Sequence, residues 1–202
     1  MLTATVTTRG TSPYSPSFKH NVPKKPKELD DAHDERTWRH HCHVDKSGNV
    51  CIPGMAFKFA LMATAAYSSQ KIEGKGQQTY TKHMTAGLHI VDELIPIGHK
   101  FKDIPEDSIG ANGKPNPYCI IINAHSNGKR GSGSRVNRRF PIFQDWSCKF
   151  TVYILDSTIT REVFERYMTD AGRFNGMGRF RPSQGGTNGR FIVEKIVWSE
   201  EE

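Results

Sequence analysis

The sequence lacks a long apolar run. A membrane-spanning helix needs about 20 consecutive apolar residues, and no stretch of the 202 residues approaches that length. Residues 1–6 are too few and too rich in threonine to form the apolar part of a signal peptide. We therefore expect a cytoplasmic protein that makes no contact with a membrane.

The sequence also lacks paired cysteines. None of its four cysteines has the C-x-x-C spacing of a redox or zinc motif. In a chain without an export signal, such cysteines are expected to be reduced thiols. Cys119 and Cys148 lie in apolar, strand-like runs and should pack as small hydrophobic side chains. Because the sequence shows neither a zinc-finger nor a helix-turn-helix pattern, sequence-specific recognition of DNA is not expected.

Acidic residues are outnumbered. The chain has 28 Lys and Arg against 21 Asp and Glu, a formal net charge of +7. A basic balance favours a polyanionic partner such as nucleic acid. Two segments contain no acidic residue at all, residues 125–139 and residues 176–191.

Residues 176–191 alternate glycines with arginines and include two phenylalanines. Glycine lets backbone N–H groups approach a polyanion, arginine offers a planar fork that matches phosphate oxygens, and phenylalanine offers a face to a base. The alternative is a mobile surface loop whose charges keep the protein soluble, and the strand position of Phe191 favours the core for that residue. The predicted contacts are Arg179, Phe180, Arg181, Gly185, Gly186 and Arg190.

Two further basic segments are predicted to bind phosphate. Residues 125–139 read as a hairpin arm with four glycine or serine residues at 131–134, and residues 71–83 read as an unstructured loop. Tyr80 in that loop could stack on a base or belong to the core. The arm supplies Lys129, Arg130, Arg135, Arg138 and Arg139, the loop supplies Lys71, Lys75, Tyr80 and Lys82, and Lys58 on the preceding helix completes the set.

The first half of the chain predicts one strand, one long helix and two short strands at residues 87–91 and 95–97. Residues 2–6 alternate apolar residues with threonines, as in a half-buried strand. Residues 9–36 have turn chemistry and predict a long, partly ordered connection. Residues 55–67 are apolar on most sides, and a mostly buried helix is expected. The residues that recur at helical spacing are Met55, Phe59, Met62, Ala63 and Ala66.

The second half predicts three strands and a helix. Residues 118–124 and 148–155 are the strongest strands, because β-branched and aromatic residues dominate them. Thr160 is the expected N-cap of a helix that Gly172 ends in a left-handed conformation. Residues 189–198 form the closing strand, and residues 199–202 are an acidic tail. The helix has Val163, Phe164, Tyr167, Met168 and Ala171 on its apolar face.

The element order predicts an α+β fold with a ferredoxin-like or RRM-like β-α-β-β-α-β core. Residues 1–198 are expected to form one domain with long basic insertions at about 9–48, 71–85 and 125–139.

Two motifs resemble the RAMP superfamily of CRISPR proteins. Residues 52–61 are similar to its IPG motif before the first helix, and residues 176–190 are similar to its glycine-rich loop before the last strand. The resemblance implies the type of subunit that forms the backbone on a guide RNA. The chain is shorter than the usual backbone subunit, and either 125–139 or 20–48 would have to serve as the thumb hairpin. A relative from a mobile element or virus is equally compatible with the motifs.

Enzymatic alternatives centre on the histidines at 40, 41 and 43. With Cys51, His20 or His33 they could hold a zinc ion, although adjacent strand residues point to opposite faces. One of them with Lys58 could instead serve a metal-independent ribonuclease of the RAMP type. The acidic residues at 30–35 read as solvated and not as a two-metal nuclease site. We therefore expect no catalysis, no cofactor and no metal.

The sequence thus predicts a non-catalytic, largely sequence-independent protein that binds single-stranded nucleic acid, because glycine–arginine loops contact the backbone better than base edges. Copies could associate along the strand and coat it as a filament. The sequence does not decide between RNA and DNA, since discrimination at the 2′-OH depends on the three-dimensional geometry of the site. The remaining alternative is a protein-only interaction module that mimics a CRISPR backbone subunit.

Overall fold

The computed structural model describes residues 1–106, 116–125 and 135–200. This part of the chain contains nine strands and four α-helices. In chain order they are β1 (Leu2–Gly10), α1 (Asp30–Thr37), β2 (His43–Val44), β3 (Asn49–Pro53), α2 (Gly54–Ser68), α3 (Tyr80–Ala86), β4 (Leu88–Ile90), β5 (Leu94–Lys100), β6 (Tyr118–His125), β7 (Arg135–Ile142), β8 (Ser147–Ile154), α4 (Arg161–Asp170) and β9 (Phe191–Glu200).

The central sheet has four antiparallel strands in the order β4-β8-β1-β9. Together with α2 and α4 they follow the chain as β1-α2-β4-β8-α4-β9, which is the predicted ferredoxin-like arrangement. Both helices pack on the same face, where Phe57 of α2 lies 4.2 Å from Phe150 of β8 and Phe164 of α4 lies 5.7 Å from Trp198 of β9 (ring centroids). The predicted fold class is therefore confirmed.

Strand β1 is half-buried, as its alternation predicts. Ala4 and Val6 are fully buried under the helices, while Thr5 and Thr7 lie on the opposite face of the sheet. The strand pairs with β8 on one side and with β9 on the other, and the β9 pairing shifts register between Thr7 and Thr8. This shift leaves Glu194 of β9 with no residue opposite it.

One of the two strongest predicted strands lies outside the central sheet. β6 pairs only with β7 among the described residues, in a hairpin that runs from Tyr118 opposite Ile142 to His125 opposite Arg135. The central sheet instead uses the short β4, and β2, β3 and β5 form a separate three-stranded sheet. The described residues of the predicted basic arm, 125 and 135–139, belong to β6 and β7. Lys129 and Arg130, both predicted to bind phosphate, lie outside the described residues.

Helix α2 is buried on one face, whereas the sequence predicted a mostly buried helix. It buries Phe57, Leu61 and their neighbours, whereas Met55 is 51 % exposed and Phe59 is 59 % exposed. The prediction was wrong because apolar residues surround the helix, so helical spacing could not distinguish its two apolar faces. The Phe57 face packs on the sheet, and the other apolar face reaches the surface.

Helix α4 begins as predicted and ends differently. The backbone N–H of Val163 donates to the hydroxyl of Thr160, which confirms the N-cap. Gly172 does not adopt a left-handed conformation, because the chain continues into a π-helical turn at Ala171–Asn175 and reverses at Gly176 with φ +66°. Gly172 is needed for a different reason: a Cβ there would lie 2.1 Å from the carbonyl oxygen of Phe191.

Two short helices occupy segments that the sequence predicted as irregular. α1 lies within the long connection at residues 9–36, and α3 begins inside the loop at residues 71–83. No helix of the described residues is long and apolar enough to cross a membrane. Phe191 is buried, as its strand position indicated.

The four cysteines are free, as predicted from their spacing. Cys119 and Cys148 are buried, as predicted from their surroundings, and Cys42 and Cys51 are buried as well. Burial raises the pKa of Cys51 and of Cys119 to about 11, and it raises those of Cys42 and Cys148 further. Thiols of this kind are poor nucleophiles at neutral pH.

Candidate nucleic-acid interface

A groove of about 570 Å³ lies between the exposed face of α2 and the segment 176–183. Its surface is mainly apolar, with serine and arginine side chains on the loop side. The residues that line it include Phe59, Met62, Ala63, Met177, Arg181 and Ser183. This groove combines a predicted phosphate-binding arginine with an aromatic residue that the sequence placed in the core.

The glycine–arginine loop is a hydrogen-bonded structure. The N–H of Met177 donates to Gly189 (2.9 Å), that of Asn188 donates to Phe180 (2.9 Å), and that of Arg179 donates to Ser15 (2.7 Å), all to carbonyl oxygens. The loop is therefore closed on itself and tied to the segment that follows β1. These bonds hold in place the loop for which the sequence left a mobile surface loop as the alternative.

At two glycines of this loop, another segment of the backbone packs directly against the Cα. A Cβ on Gly186 would lie 1.9 Å from the carbonyl oxygen of Phe180, and a Cβ on Gly189 would lie 1.9 Å from that of Met177. Gly186 was predicted to contact phosphate, but its backbone N–H donates to the carbonyl oxygen of Arg181 (3.1 Å) instead. Gly185 has φ +78° and open space around it.

The positive charge of Arg181 is not neutralised by an ion pair in the described part of the chain. Its guanidinium donates to the carbonyl oxygen of Gly178 (3.0 Å) and to the hydroxyl of Ser183 (3.1 Å), and both acceptors are neutral. Within the described residues, no carboxylate lies within ion-pair distance of it. A guanidinium has five N–H donors, so donors remain for a ligand in the groove.

Arg179 and Phe180 turn away from the groove. The guanidinium of Arg179 lies 3.9 Å from the centre of the Phe140 ring on β7, and Phe180 meets that ring edge-on at 5.9 Å. Burial lowers the pKa of Arg179, and Phe180 has φ +61°. Both residues were predicted to contact nucleic acid, and the structure places them between the loop and the hairpin instead. Arg179 and Phe180 therefore connect the glycine–arginine loop to the β6–β7 hairpin.

The arginines of β7 are paired with acidic helix α1. Arg138 lies 3.4 Å from Asp34, and Arg139 donates to the carbonyl oxygen of Asp31 (3.1 Å) and lies 3.3 Å from Glu35. Asp34 is only 5 % exposed and also accepts from the backbone N–H of Arg139.

Two predictions are corrected by these contacts. The acidic run at 30–35 is not solvated throughout, because Asp34 is buried in the pairing, whereas Asp30, Asp31 and Glu35 are exposed as predicted. Arg139 is not available to phosphate, and the charge of Arg138 is opposed by a carboxylate. Arg135, further along the strand, is exposed and donates to the side-chain oxygen of Asn123 (3.3 Å).

The middle segment supplies exposed lysines but no stacking residue. Lys75 and Lys82 line a second cavity of about 680 Å³ together with His83, whose Nδ1 lies 2.6 Å from Asp156. Tyr80 is buried and meets the ring of Tyr167 edge-on at 5.7 Å, so it belongs to the core and not to a base-binding surface.

Three further predicted residues lie away from the groove. Lys58 is half-buried on α2, and Lys71 is exposed. Arg190 is exposed and donates to the carbonyl oxygen of Arg173 (2.5 Å).

The histidines gather around His20. Its ring lies 4.9 Å from that of His41, 5.9 Å from His33 and 6.0 Å from His40. Burial and the neighbouring imidazoles lower the pKa of His20. Cys51 sits opposite His43 in the β2–β3 pairing and not in this cluster. Among the residues that the structure describes, no group of three or more His, Cys, Asp or Glu is arranged to hold a metal ion.

The sequence contained a signal for the exposed face of α2 that the spacing analysis missed. Lys58 is the single charged residue among the 15 of this helix. A helix without a polar face either is covered on all sides or leaves apolar surface exposed. The structure shows the second case, and the exposed face forms the wall of the groove.

Comparisons with known proteins support the fold. Neither a protein-family model nor a curated protein sequence matches the chain. A chain of the Type III-B Cmr-beta complex bound to cognate target RNA is similar in structure, with a TM-score of 0.56, 12 % identity, and coverage of 98 % of this chain and 61 % of that chain. The protein therefore shares its fold with that chain, and it spans 61 % of the length of that chain.

Two other structures give lower scores. Cmr6 from Pyrococcus furiosus has a TM-score of 0.48 at 14 % identity, with coverage of 96 % of this chain and 99 % of that chain. A chain of a CRISPR RNA-guided surveillance complex has a TM-score of 0.38 at 7 % identity, with coverage of 97 % and 68 %.

Proposed function

We propose that this chain is a non-catalytic subunit that binds single-stranded RNA in the groove between α2 and the glycine–arginine loop. The observation that carries the proposal is the placement of exposed Phe59 and uncancelled Arg181 on facing walls of one groove. An aromatic face and a cation that line one groove suit the two halves of a nucleotide, its base and its phosphate.

The energetics favour an unpaired strand. A base stacked on Phe59 would contribute about 1–3 kcal/mol, because the aromatic face accepts any base. The apolar wall of α2 offers no donor or acceptor pattern to read base identity, since Met62, Ala63 and Ala66 lack polar side-chain atoms. Binding at this site is therefore largely independent of sequence.

RNA is the proposed strand because the structural relative is a complex bound to cognate target RNA. Membership of a multi-subunit assembly is proposed on the same ground. Side-by-side association of copies along the strand is a further proposal. It predicts that the number of bound chains rises with RNA length in light scattering, and a single bound chain at all lengths would contradict it.

The test compares groove residues with matched neighbours. Phe59→Ala and Arg181→Ala are titrated with labelled single-stranded RNA, single-stranded DNA and duplex RNA at two salt concentrations. Tyr67→Ala removes another exposed aromatic residue of α2 that does not line the groove, and Arg166→Ala removes an exposed arginine on α4. The two groove variants should lose affinity while the two controls keep it.

The proposal has clear failing results. Equal affinities for all four variants would exclude the groove. Tighter binding of DNA or duplex than of single-stranded RNA would exclude the proposed ligand. Shortened RNA after incubation with the purified protein would contradict a non-catalytic role.

A further inference from the structure

The short helix α3 borders two spaces, the groove and the second cavity of about 680 Å³. Thr81 and Thr85 line the groove, whereas Lys82 and His83 line the cavity. The side chains of consecutive helical residues point about 100° apart, so the two spaces lie on different sides of the helix. A helix with its side chains is about 10–12 Å wide, a distance that a few nucleotides span. A strand that leaves the groove across α3 can therefore reach the cavity.

The loop that precedes α3 forms the other wall of the cavity. Its backbone is closed by hydrogen bonds, because the N–H of Ile72 donates to the carbonyl oxygen of Gln78 (2.8 Å) and the N–H of Gln78 donates to that of Lys75 (3.2 Å). The loop is thus a defined structure and not a free segment. It lines the cavity with Lys75, Gln77, Gln78 and Thr79.

A series of hydrogen bonds through the segment after β8 connects the two walls. Nζ of Lys75 donates to the hydroxyl of Thr158 (3.1 Å), and the N–H of Thr158 donates to Asp156 (2.8 Å). The other carboxylate oxygen of Asp156 lies 2.6 Å from Nδ1 of His83. Lys75 uses one of the three donors of its ammonium group in this way. Because Asp156 holds Nδ1, the ring nitrogen of His83 that can meet a ligand is Nε2.

The charge of the cavity wall is positive. Lys75 and Lys82 supply two ammonium groups, and no residue that lines the cavity is acidic. Among the described residues, neither lysine lies within ion-pair distance of a carboxylate. Of the carboxylates in the adjoining segments, that of Asp156 is engaged by His83, and Glu73 is exposed on the loop outside the cavity lining.

We infer that this cavity binds the terminal phosphate of a single strand whose adjoining nucleotides lie in the groove, an inference that rests on the proposed function. A phosphate monoester carries about −1.5 to −2 charges at neutral pH and has three strong acceptor oxygens, whereas a phosphate within the strand carries a single charge. Two ammonium groups and an imidazole suit the larger charge and the three oxygens. Nε2 of His83 donates when the ring is protonated, and a bound dianion favours that form.

The experiment compares three oligouridines of one length, which carry a 5′-phosphate, a 3′-phosphate or hydroxyl groups at both ends. The affinity of a phosphorylated strand divided by that of the hydroxyl-ended strand is the end-phosphate ratio. The cavity variant is Lys75→Ala with Lys82→Ala. Its control is Lys19→Ala with Lys46→Ala, which removes the same charge from exposed lysines that do not line the cavity. Near-ultraviolet circular dichroism establishes that each variant is folded.

For the wild-type protein, the end-phosphate ratio should be about ten to a hundred for one of the two phosphorylated strands, as expected for charge-assisted hydrogen bonds. The cavity variant should reduce this ratio to about one, and the control should keep it. His83→Asn should give an intermediate ratio, because its amide can still donate to Asp156 but cannot carry a charge.

Three results would overturn the inference. The first is equal binding of all three strands by the wild-type protein. The second is an equal loss of affinity for all three strands in the cavity variant, which would assign Lys75 and Lys82 to phosphates within the strand. The third is removal of the end-phosphate ratio by inorganic phosphate at the concentration of the RNA, which would assign the cavity to the free ion.

The same assay tests the groove separately. In a Phe59→Ala, Arg181→Ala variant, weaker binding of all three strands with an unchanged end-phosphate ratio would support both sites. Unchanged affinity for all three strands in that variant would exclude the groove. A ratio that still depends on Lys75 and Lys82 would then leave the cavity as a terminal-phosphate site of its own.

Discussion

Two basic regions of this chain look alike in sequence and differ in structure. The arginines of β7 meet the carboxylates of α1, so that their charge is cancelled within the molecule. Arg181 in the glycine–arginine loop is held by a carbonyl and a hydroxyl, so that its orientation is fixed and its charge remains. Positive charge therefore predicts a phosphate contact only where the fold brings no carboxylate to it.

The largest expected effect concerns the arginines of β7, which pair with the carboxylates of α1. Asp34→Ala should lower the free energy of unfolding by about 2–3 kcal/mol, because it removes a buried acceptor of the Arg139 N–H and the carboxylate that lies 3.4 Å from Arg138. Urea denaturation measures this. Glu73→Ala, an exposed acidic residue in a loop, should change stability by less than about 0.5 kcal/mol. Equal stabilities would mean that α1 does not hold the hairpin.

The next effect tests whether the loop is a fixed structure. Gly189→Ala should destabilise the protein by about 1–3 kcal/mol, because Gly189 has φ +74° and its Cβ would overlap the carbonyl of Met177. Gly185→Ala has a similar φ but open space around it, and its cost should be smaller. Thermal unfolding compares the two. If Gly185→Ala cost as much, steric closure of the loop would not be the cause.

A smaller effect is expected on RNA binding, where the two basic regions can be compared directly. Arg181→Ala should weaken RNA binding by about tenfold and reduce the salt slope by about 0.7, for one phosphate contact. Arg138→Ala should leave affinity nearly unchanged, because its charge already faces Asp34. Fluorescence anisotropy at several salt concentrations measures both. The reverse ranking would show that the hairpin and not the loop binds the strand.

The smallest effect concerns pH. The Arg36 side chain lowers the pKa of Glu28 to about 2, below the ordinary value of a glutamate. A depressed carboxyl pKa stabilises the fold above the unfolded-state value, near pH 4, and that stabilisation is lost as pH falls toward 2. Glu28→Gln should therefore flatten the decrease of Tm in this window. An unchanged decrease would assign acid sensitivity to other carboxylates.

Local signals predicted the parts of the fold that depend on neighbours in the chain. The hydroxyl of Thr160 caps α4, and the alternation of β1 buries Ala4 and Val6, because both effects act within a few residues. The β-α-β-β-α-β order followed from such signals. The place of β6 did not, because pairing with β7 or with the central sheet depends on contacts distant in sequence.

The candidate site was only partly predicted, because local signals do not show which residues distant in sequence come together. Arg181 was recognisable from residue type and the surrounding glycines. Phe59 was not, because the sequence of α2 is apolar on both sides and only the sheet decides which side is covered. The pairing of Arg139 with residues about a hundred positions earlier left no trace in either local segment.

The register shift between Thr7 and Thr8 has a consequence for how molecules meet. β9 is a ten-residue outer strand with one free edge in the described structure, the kind of edge that recruits a strand from another molecule. The unmatched Glu194 and the adjoining Lys195 interrupt that edge with an irregular backbone and two charges. Crowding many copies onto one RNA should therefore not fuse their sheets into an aggregate.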